Sequence, residues 1–376
     1  MRWLETRVIA QGVYERTGLA FLVAAIFCPD ETCQTRPARI SFNCNGTFSM
    51  APKIPLPTIV VIDNPLNEIS IARELAPPGF GVVIARFGSA EFNAAVKDAE
   101  YVVGLSEKLD DSFYRAAPKI KLVQLLSAGY DRCDIEAARR AQVPICNNGG
   151  ANSTAVSEHA MMLMLAVSRR LVWQHRSVSA GAWRGNNIAD MRLFELRGRT
   201  LGIVGLGAIG KKVARLAQAF GMTVQYYDLN RLSEDAEDAL DVRFRLLDEI
   251  LHGSDFVSLH VPLTPAARHM IGAKELAAMK PTAYLINTCR GPVVDEAALI
   301  EALSNGTLAG AGLDVFDQEP PLAGNRLFGL DNVVLTAHLA GPTWENQYSR
   351  FRNAFDNCQR VARGEMPLWV IPELRP

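Results

Sequence analysis

From residue 58 onward the chain alternates short runs of consecutive apolar residues with stretches whose apolar positions recur at a helical period. The runs are short and rich in Val, Ile and Leu, which predicts strands buried on both faces. Thr58 to Ile62, Val82 to Ile84, Tyr101 to Val103 and Leu122 to Leu126 make one set, with helical stretches near Glu68 to Leu75, Glu91 to Asp98 and Ile135 to Ala141. Leu201 to Val204, Met222 to Tyr227, Phe256 to His260, Ala283 to Asn287, Gly310 to Val315 and Val333 to Thr336 make a second. Strands that alternate with helices predict parallel sheets.

Between the two sets, Ser153 to about Val172 predicts one long helix, with Asn152 or Ser153 as its N-cap and Glu158 near its first turn. Its Met and Leu stripe is expected to lie in the core or at a subunit interface. The stretch from Arg176 to Leu196 is polar and irregular. A last helix, from Trp344 to about Gly364, is expected to return to the first set of strands. The organisation is then an extension over 1–52, a discontinuous domain of 53–152 with 345–376, and a second domain over 153–344.

Composition narrows the class. The 376 residues carry 39 basic and 40 acidic side chains, for a net charge of −1, and nothing recommends a nucleic-acid or membrane surface. The seven cysteines (28, 33, 44, 133, 146, 289 and 358) are odd in number and show no zinc-like spacing, so no metal is expected and the compartment is expected to be reducing and cytoplasmic. The apolar run Gly18 to Cys28, behind Arg2, Arg7 and Arg16, imitates a signal peptide. Its charged region is too long, and Phe27 is a poor residue before a cleavage point. Residues 1–52 are read as a disordered extension, with Met50 as an alternative start. No run is long enough to cross a membrane.

The most informative stretch begins at Leu201. A buried strand leads into Gly205-Leu206-Gly207-Ala208-Ile209-Gly210, a helix is predicted from Ile209 to Phe220 with Gly221 as its stop, and a second strand delivers Asp228. In that context the loop predicts a dinucleotide site. Gly205 permits the turn, Gly207 lets backbone approach a pyrophosphate, and Gly210 lets the helix sit close to the sheet. The helix start offers N–H groups and the positive end of its dipole to the phosphates. Asp228 accepts from ribose hydroxyls and repels a 2′-phosphate, which predicts NAD over NADP; Arg231 nearby works against that preference.

Later strand ends carry His260-Val261-Pro262-Leu263-Thr264, Asn287-Thr288-Cys289-Arg290-Gly291, Asp314-Val315-Phe316-Asp317-Gln318-Glu319-Pro320 and Thr336-Ala337-His338-Leu339-Ala340-Gly341. In this order behind this loop, the chain resembles the D-isomer-specific 2-hydroxyacid dehydrogenases from about Thr58 to the last helix. The resemblance implies an α/β fold of two doubly wound parallel-sheet domains, with a Rossmann NAD-binding domain inserted into a flavodoxin-like substrate domain. It also implies hydride transfer between nicotinamide and a small 2-oxo or D-2-hydroxy acid. Residue chemistry agrees with the roles it assigns: Arg290 for the substrate carboxylate, His338 for the proton, and Glu319 to orient and charge the imidazole.

Further positions follow from the resemblance alone. Ser127, Ala128 and Gly129, in the run to Asp131, correspond to a loop whose backbone holds the substrate carboxylate. Asp314 corresponds to a contact with the nicotinamide amide, and Thr154 to a cofactor contact on the linking helix. Val261, Pro262, Thr264, Thr288, Cys289 and Gly341 join the cofactor site. His260 belongs to its adenosine side and is not expected to be catalytic. Cys289 reads as a small filler rather than a nucleophile, and Ala337 stands where proline is common, which predicts a looser loop. His159, His175, His252 and His269 are expected to be structural or exposed. The substrate side chain is expected near Leu105-Ser106, Leu126-Ser127 and Trp344, and the apolar linking helix suggests a homodimer. Glu319, where formate dehydrogenases have glutamine, disfavours that activity. Phosphoglycerate or phosphite oxidation and an NAD(H)-sensing, corepressor-like scaffold are the alternatives.

Overall fold

A computed structural model describes residues 56–105, 107–183 and 192–375. The expectations for 1–52 and for Ser106 lie outside the described residues. Among these residues, five strands form a first parallel sheet: β1 (Thr58–Asp63), β2 (Gly81–Arg86), β3 (Ala99–Gly104), β4 (Leu122–Leu125) and β5 (Ile145–Cys146), in the order β2-β1-β3-β4-β5. A second parallel sheet holds β6 (Thr200–Val204), β7 (Thr223–Tyr227), β8 (Arg243–Phe244), β9 (Phe256–Leu259), β10 (Tyr284–Asn287), β11 (Gly310–Leu313) and β12 (Val333–Leu335). Its order is β12-β11-β10-β9-β6-β7-β8, with every pairing parallel. The first order is flavodoxin-like and the second is the Rossmann order with an added edge strand. In each sheet the winding reverses once, between β1 and β3 and between β6 and β9. Ligands of such sheets bind beyond the strand ends at that reversal.

The helices between the first strands are short: α1 (Ile69–Glu74), α2 (Ala90–Ala95), α3 (Asp111–Ala116) and α4 (Ile135–Ala141). Asp110 caps α3 by accepting from the backbone N–H groups of Ser112 and Phe113. The linking helix differs from expectation. It runs as α5 (Ser153–Ser168) and breaks at Arg170, which takes a left-handed φ of 49°, before α6 (Leu171–Ser179). The break falls where burial stops, because α5 buries residues up to Ser168 and α6 buries none. Asn152 occupies the N-cap of α5 without a side-chain capping bond. The polar stretch expected to be irregular from Arg176 thus begins inside α6.

Ala160, Met161, Leu163, Met164 and Val167 of α5 are buried against Leu201, Ile203 and Tyr226 of the second sheet, so the Met and Leu stripe is mostly core. Met162, 44% exposed, points away from it. α7 (Ala208–Ala219), α8 (Glu234–Leu240), α9 (Leu247–Gly253), α10 (Ala273–Ala278) and α11 (Glu296–Ser304) complete the helices associated with the second sheet. The last helix, α12 (Trp344–Ala362), returns to the first sheet, burying Phe351, Phe355 and Cys358 among Val61, Tyr101, Val103 and Leu122. Asn357 of α12, fully buried, donates to Gln124 Oε1 in β4 at 2.7 Å. No helix among the described residues is long and apolar enough to cross a membrane.

Candidate active site

The turn after β6 is built as a close approach between two strand ends. Gly205 has a φ of +97°, and a Cβ there would lie 2.7 Å from the carbonyl oxygen of His260, at the end of β9. Only glycine meets both demands. Gly207 caps α7 with no side-chain bond, and a Cβ on it would find nothing within 4 Å. The first turn of α7 is therefore open to an anion from the solvent side. A Cβ on Gly210 would stand 2.3 Å from the carbonyl oxygen of Gly205 and 3.3 Å from Ile203 Cγ2. The close packing expected there is against the loop first and the sheet second.

Asp228 stands at the end of β7 and ties the loop down. Its Oδ2 accepts from the Leu206 N–H at 2.8 Å and its Oδ1 from the Asn230 N–H at 2.9 Å. Arg231 is committed elsewhere. Its Nε donates to Glu237 Oε1 at 2.9 Å and its guanidinium lies 5.2 Å from the centre of the Phe244 ring.

Several buried polar atoms at the strand ends lack a partner. Thr288 Oγ1, His260 Nδ1 and Asn152 Oδ1 are buried with no hydrogen bond among the described residues. Such orphans are rare unless a ligand satisfies them. His260 Nε2 lies 2.9 Å from Ser258 Oγ, and burial pushes the ring down to about 4, so it is neutral at physiological pH. The segment after β9 leaves Pro262 and Thr264 exposed and Val261 half-buried, and Thr264 Oγ1 accepts from the Ala267 N–H at 3.2 Å. Thr154 is exposed in the first turn of α5. A Cβ on Gly341 would come 3.9 Å from Asn152 Nδ2, which places the end of the His338 loop beside the start of α5. Uncapped helix, open glycine and unpartnered polar atoms together fit a dinucleotide.

Arg290 follows β10 on a turn that Asn287 folds. The Asn287 side chain accepts from the Cys289 N–H and donates to the Arg290 carbonyl, each at 3.0 Å. Cys289 is buried, and burial pushes its thiol up to about 11, which leaves it protonated and no nucleophile. Arg290 Nη1 donates to the Cys289 carbonyl at 2.6 Å and Nε to Asp131 Oδ1 at 2.8 Å. The arginine of the second sheet thereby meets the loop that follows β4 in the first. A Cβ on Gly129 would lie 1.5 Å from Arg290 Nη2, so the guanidinium rests on bare backbone. Ser127 Oγ donates to the Gly129 carbonyl at 2.8 Å and shapes the same loop, of which Ala128 is the middle residue.

His338 Nδ1 lies 2.7 Å from Glu319 Oε2. The carboxylate accepts a hydrogen bond from Nδ1–H, which leaves Nε2 as the ring nitrogen available to a substrate. Glu319 Oε1 accepts from the Phe316 N–H at 3.1 Å. Burial raises the Glu319 carboxyl, but the His338 hydrogen bond and charge, the Phe316 N–H and Arg290 outweigh it and hold the group below its ordinary value. His338 itself has a left-handed φ of 54°.

Asp314 was expected at the nicotinamide amide. The structure shows it fully buried, with Oδ1 accepting from Thr336 Oγ1 at 2.6 Å and the Leu339 N–H at 3.0 Å, and Oδ2 from the Ala340 N–H at 2.9 Å. The loop that Ala337 was expected to loosen hangs from this carboxylate.

Two pairings and a cavity go beyond what the motifs state. Asp131 pairs with Arg290, and His159 reaches Thr336 from α5 at 2.9 Å. A cavity of about 270 Å³ beside the His338 loop is lined by Trp344, by Leu66 and Asn67 from the loop after β1, and by Leu339 and Pro342. Leu126 is fully buried and does not line it. A second, more apolar groove of about 530 Å³ lies away from the chemistry, between α5, α6 and α7.

The chain is similar to known proteins over most of its length. The model for the NAD binding domain of D-isomer specific 2-hydroxyacid dehydrogenases matches residues 161–340. A glyoxylate reductase of Korarchaeum cryptofilum is 41% identical over 302 residues, which cover 80% of this chain and 88% of the relative. The crystal structure of a glyoxylate reductase from Paecilomyes thermophila superposes with a TM-score of 0.76 at 30% identity, covering 86% of this chain and all of that one. An NADPH-dependent glyoxylate/hydroxypyruvate reductase from Sinorhizobium meliloti, solved with NADP and malonate, superposes with a TM-score of 0.72 at 28% identity, covering 85% of this chain and 97% of that one.

Proposed function

The chain belongs to the D-isomer-specific 2-hydroxyacid dehydrogenases, and from that premise we propose that it reduces a short 2-oxo acid of the glyoxylate and hydroxypyruvate type with NADH, using Arg290, His338 and Glu319. The observation that carries the reading is the His338–Glu319 pair at 2.7 Å, close enough to Arg290 for the guanidinium to help hold Glu319 ionised.

Each residue has one task. Arg290 Nε and Nη1 are held by Asp131 and the Cys289 carbonyl, which leaves Nη2, against Gly129, to take the substrate carboxylate and polarise the adjacent carbonyl. His338 Nε2 gives its proton to the developing alkoxide, and Glu319 stabilises the imidazolium that precedes this transfer. In the oxidative direction the neutral ring takes the same proton back. Bound nicotinamide supplies the hydride.

The cofactor would be held by the Gly205 to Gly210 turn, the first turn of α7 with Ala208 and Ile209, and Asp228, with Thr154, Val261, Pro262, Thr264, Thr288, Cys289 and Gly341 around it. Asp228 at the end of β7 and the engagement of Arg231 by Glu237 support NAD rather than NADP, because the carboxylate repels a 2′-phosphate and the nearby cation is already paired. The Sinorhizobium meliloti relative is the contrary precedent.

We read 53–152 with 345–376 as the substrate domain and 153–344 as the nucleotide domain, a division supported by the packing of α12 on the first sheet. A homodimer is supported by the apolar groove on α5, where Glu158 and Arg169 lie towards opposite ends; an antiparallel pairing about a twofold axis brings each to the other's partner. The buried thiols of Cys146, Cys289 and Cys358 suit a cytosolic enzyme.

The test is NADH oxidation by the purified protein with glyoxylate, hydroxypyruvate, pyruvate and bulkier 2-oxo acids. Turnover with the short acids supports the reading. Binding of NADH without turnover on any of them overturns it in favour of the nucleotide-sensing scaffold, a reading that the named relatives, all reductases, do not favour.

A further inference from the structure

Beneath the His338 loop lies a hydrogen-bonded chain that proton transfer by His338 and Glu319 does not by itself require. It runs from α5 to β11. His159 Nε2 is 2.9 Å from Thr336 Oγ1, and Thr336 Oγ1 is 2.6 Å from Asp314 Oδ1. An ionised carboxylate can only accept, so the threonine proton points at Asp314. The hydroxyl oxygen is then the acceptor for His159, whose Nε2 must carry the ring proton. The direction of the whole chain follows: imidazole N–H to hydroxyl, hydroxyl to carboxylate. His159 Nε2 also stands 3.4 Å from Asp314 Oδ1, on the same side of the carboxylate.

What hangs from that carboxylate is the loop of the proton donor. Asp314 accepts from the N–H groups of Leu339 and Ala340 through its side chain, and from the His338 N–H through its own carbonyl at 2.7 Å. Three consecutive backbone groups, beginning at His338, are thus fixed to one buried residue. The loop needs such fixing, since His338 holds a left-handed φ of 54° that a residue with a side chain seldom adopts, and Ala337 imposes no φ of its own. Asp314 is fully buried and can keep its charge only if its oxygens are satisfied. His159 and Thr336 supply the part of that satisfaction that does not come from backbone. Desolvation lowers the His159 imidazole despite the opposing charge of Asp314, which favours the neutral ring, and its proton on Nε2 is the one the chain uses.

We propose that His159 is a positioning residue for the reaction: through Thr336 it fixes the Asp314 carboxylate, and through Asp314 the backbone from which His338 presents Nε2 to the substrate carbonyl. The proposal rests on His338 being the proton donor. It gives the linking helix α5 a task in catalysis besides joining the two sheets.

Rate and cofactor affinity separate this role from a packing role. His159→Leu and Thr336→Val should each lower kcat by about ten- to a hundredfold, as expected when a reacting group is misplaced by a fraction of an ångström. NADH affinity, read by fluorescence titration, should stay within about twofold in both variants, because neither side chain belongs to the nucleotide site proposed above. His159→Gln, which can return an N–H donor near the place of Nε2, should recover most of the rate. The double variant should be no slower than the slower single, since both break one chain. Equal loss in the Leu and Gln variants, or losses that multiply in the double variant, would overturn the relay and leave His159 as packing. Thr336→Val is nearly isosteric and carries the test should His159→Leu fold poorly. His338→Ala, measured alongside, keeps the two readings apart. If it is inactive while His159→Leu and Thr336→Val run near the wild-type rate, only the relay fails; if His338→Ala itself turns over normally, the proton-donor reading fails and takes the relay with it.

Discussion

Arg290 Nη2 occupies the space in which a Cβ on Gly129 would stand, 1.5 Å from it. The two residues follow strands of different sheets, and their contact joins a backbone loop and a guanidinium into one surface, the one proposed above to receive the substrate carboxylate.

Gly129→Ala therefore displaces the arginine while leaving both sheets intact. The expected result is a fall in kcat/KM for the 2-oxo acid of about a hundredfold, with NADH affinity and melting temperature close to wild type. Steady-state kinetics beside a fluorescence titration and a thermal melt check it. Unchanged kcat/KM would remove the Gly129 loop from the substrate site.

His338→Ala should cost between about 10² and 10⁴ in kcat, the range for losing a positioned general acid, with little change in NADH binding. A variant that keeps more than about a tenth of the wild-type rate would move proton donation to another group or to water.

Glu319 yields a pH dependence with a definite sign. Its folded pKa is depressed below the ordinary carboxylate value, so the anionic partner of His338 is fully present above that ordinary value and is lost only as pH falls through the lower, folded one. The stability it contributes, and the part of kcat that needs an anion behind the imidazole, should both persist to pH values below the usual glutamate range. Glu319→Gln should lower kcat at neutral pH, and in the wild type the carboxyl should titrate below 4.5, the ordinary value, when followed by NMR. A carboxyl that titrates above that value would contradict the pairing.

Asp228→Ala should narrow the preference for NAD over NADP, chiefly by weakening NAD. Some loss with both cofactors is also expected, because Asp228 accepts from the Leu206 N–H and helps to hold the glycine turn. The ratio of kcat/KM for NADH and NADPH is the readout; a ratio that does not move takes Asp228 out of cofactor choice.

Phe351 is fully buried between α12 and the first sheet. Phe351→Ala should destabilise the protein by about 3–5 kcal/mol, the usual cost of emptying a buried aromatic site, as measured by urea unfolding. A cost below about 1 kcal/mol would mean that α12 does not secure the first sheet.

The positions of the glycine turn, Asp228, Arg290, Glu319 and His338 at or after strand ends of the second sheet were legible in the sequence. Each sits at a strand end where local spacing dictates what the backbone does, so residue type and position carry the chemistry together. Long strands with continuous apolar runs were legible for the same reason. β5 and β8, two residues each, are too short for any period to show. The break after α5 left no trace in apolar content, because it depends on where the second sheet stops covering the helix. The partners of His159 and Asp131 were not legible. Each looks ordinary in its own segment, and its meaning comes from a partner well over a hundred positions away. Asp314 was located at the right strand end, yet the loop it carries could be seen only once Thr336, Leu339 and Ala340 were placed around it.

The bond between Asp131 and Arg290 spans 159 positions of sequence and joins the loop after β4 to the turn after β10. Because Arg290 fits against Gly129 at one separation only, it serves as a gauge of the distance between the two sheets. Moving the two loops apart would break this bond and lift the guanidinium from the backbone of Gly129. Under the proposed function, a surface for the substrate carboxylate exists only where the two loops meet, and neither half of the molecule expressed by itself would possess it.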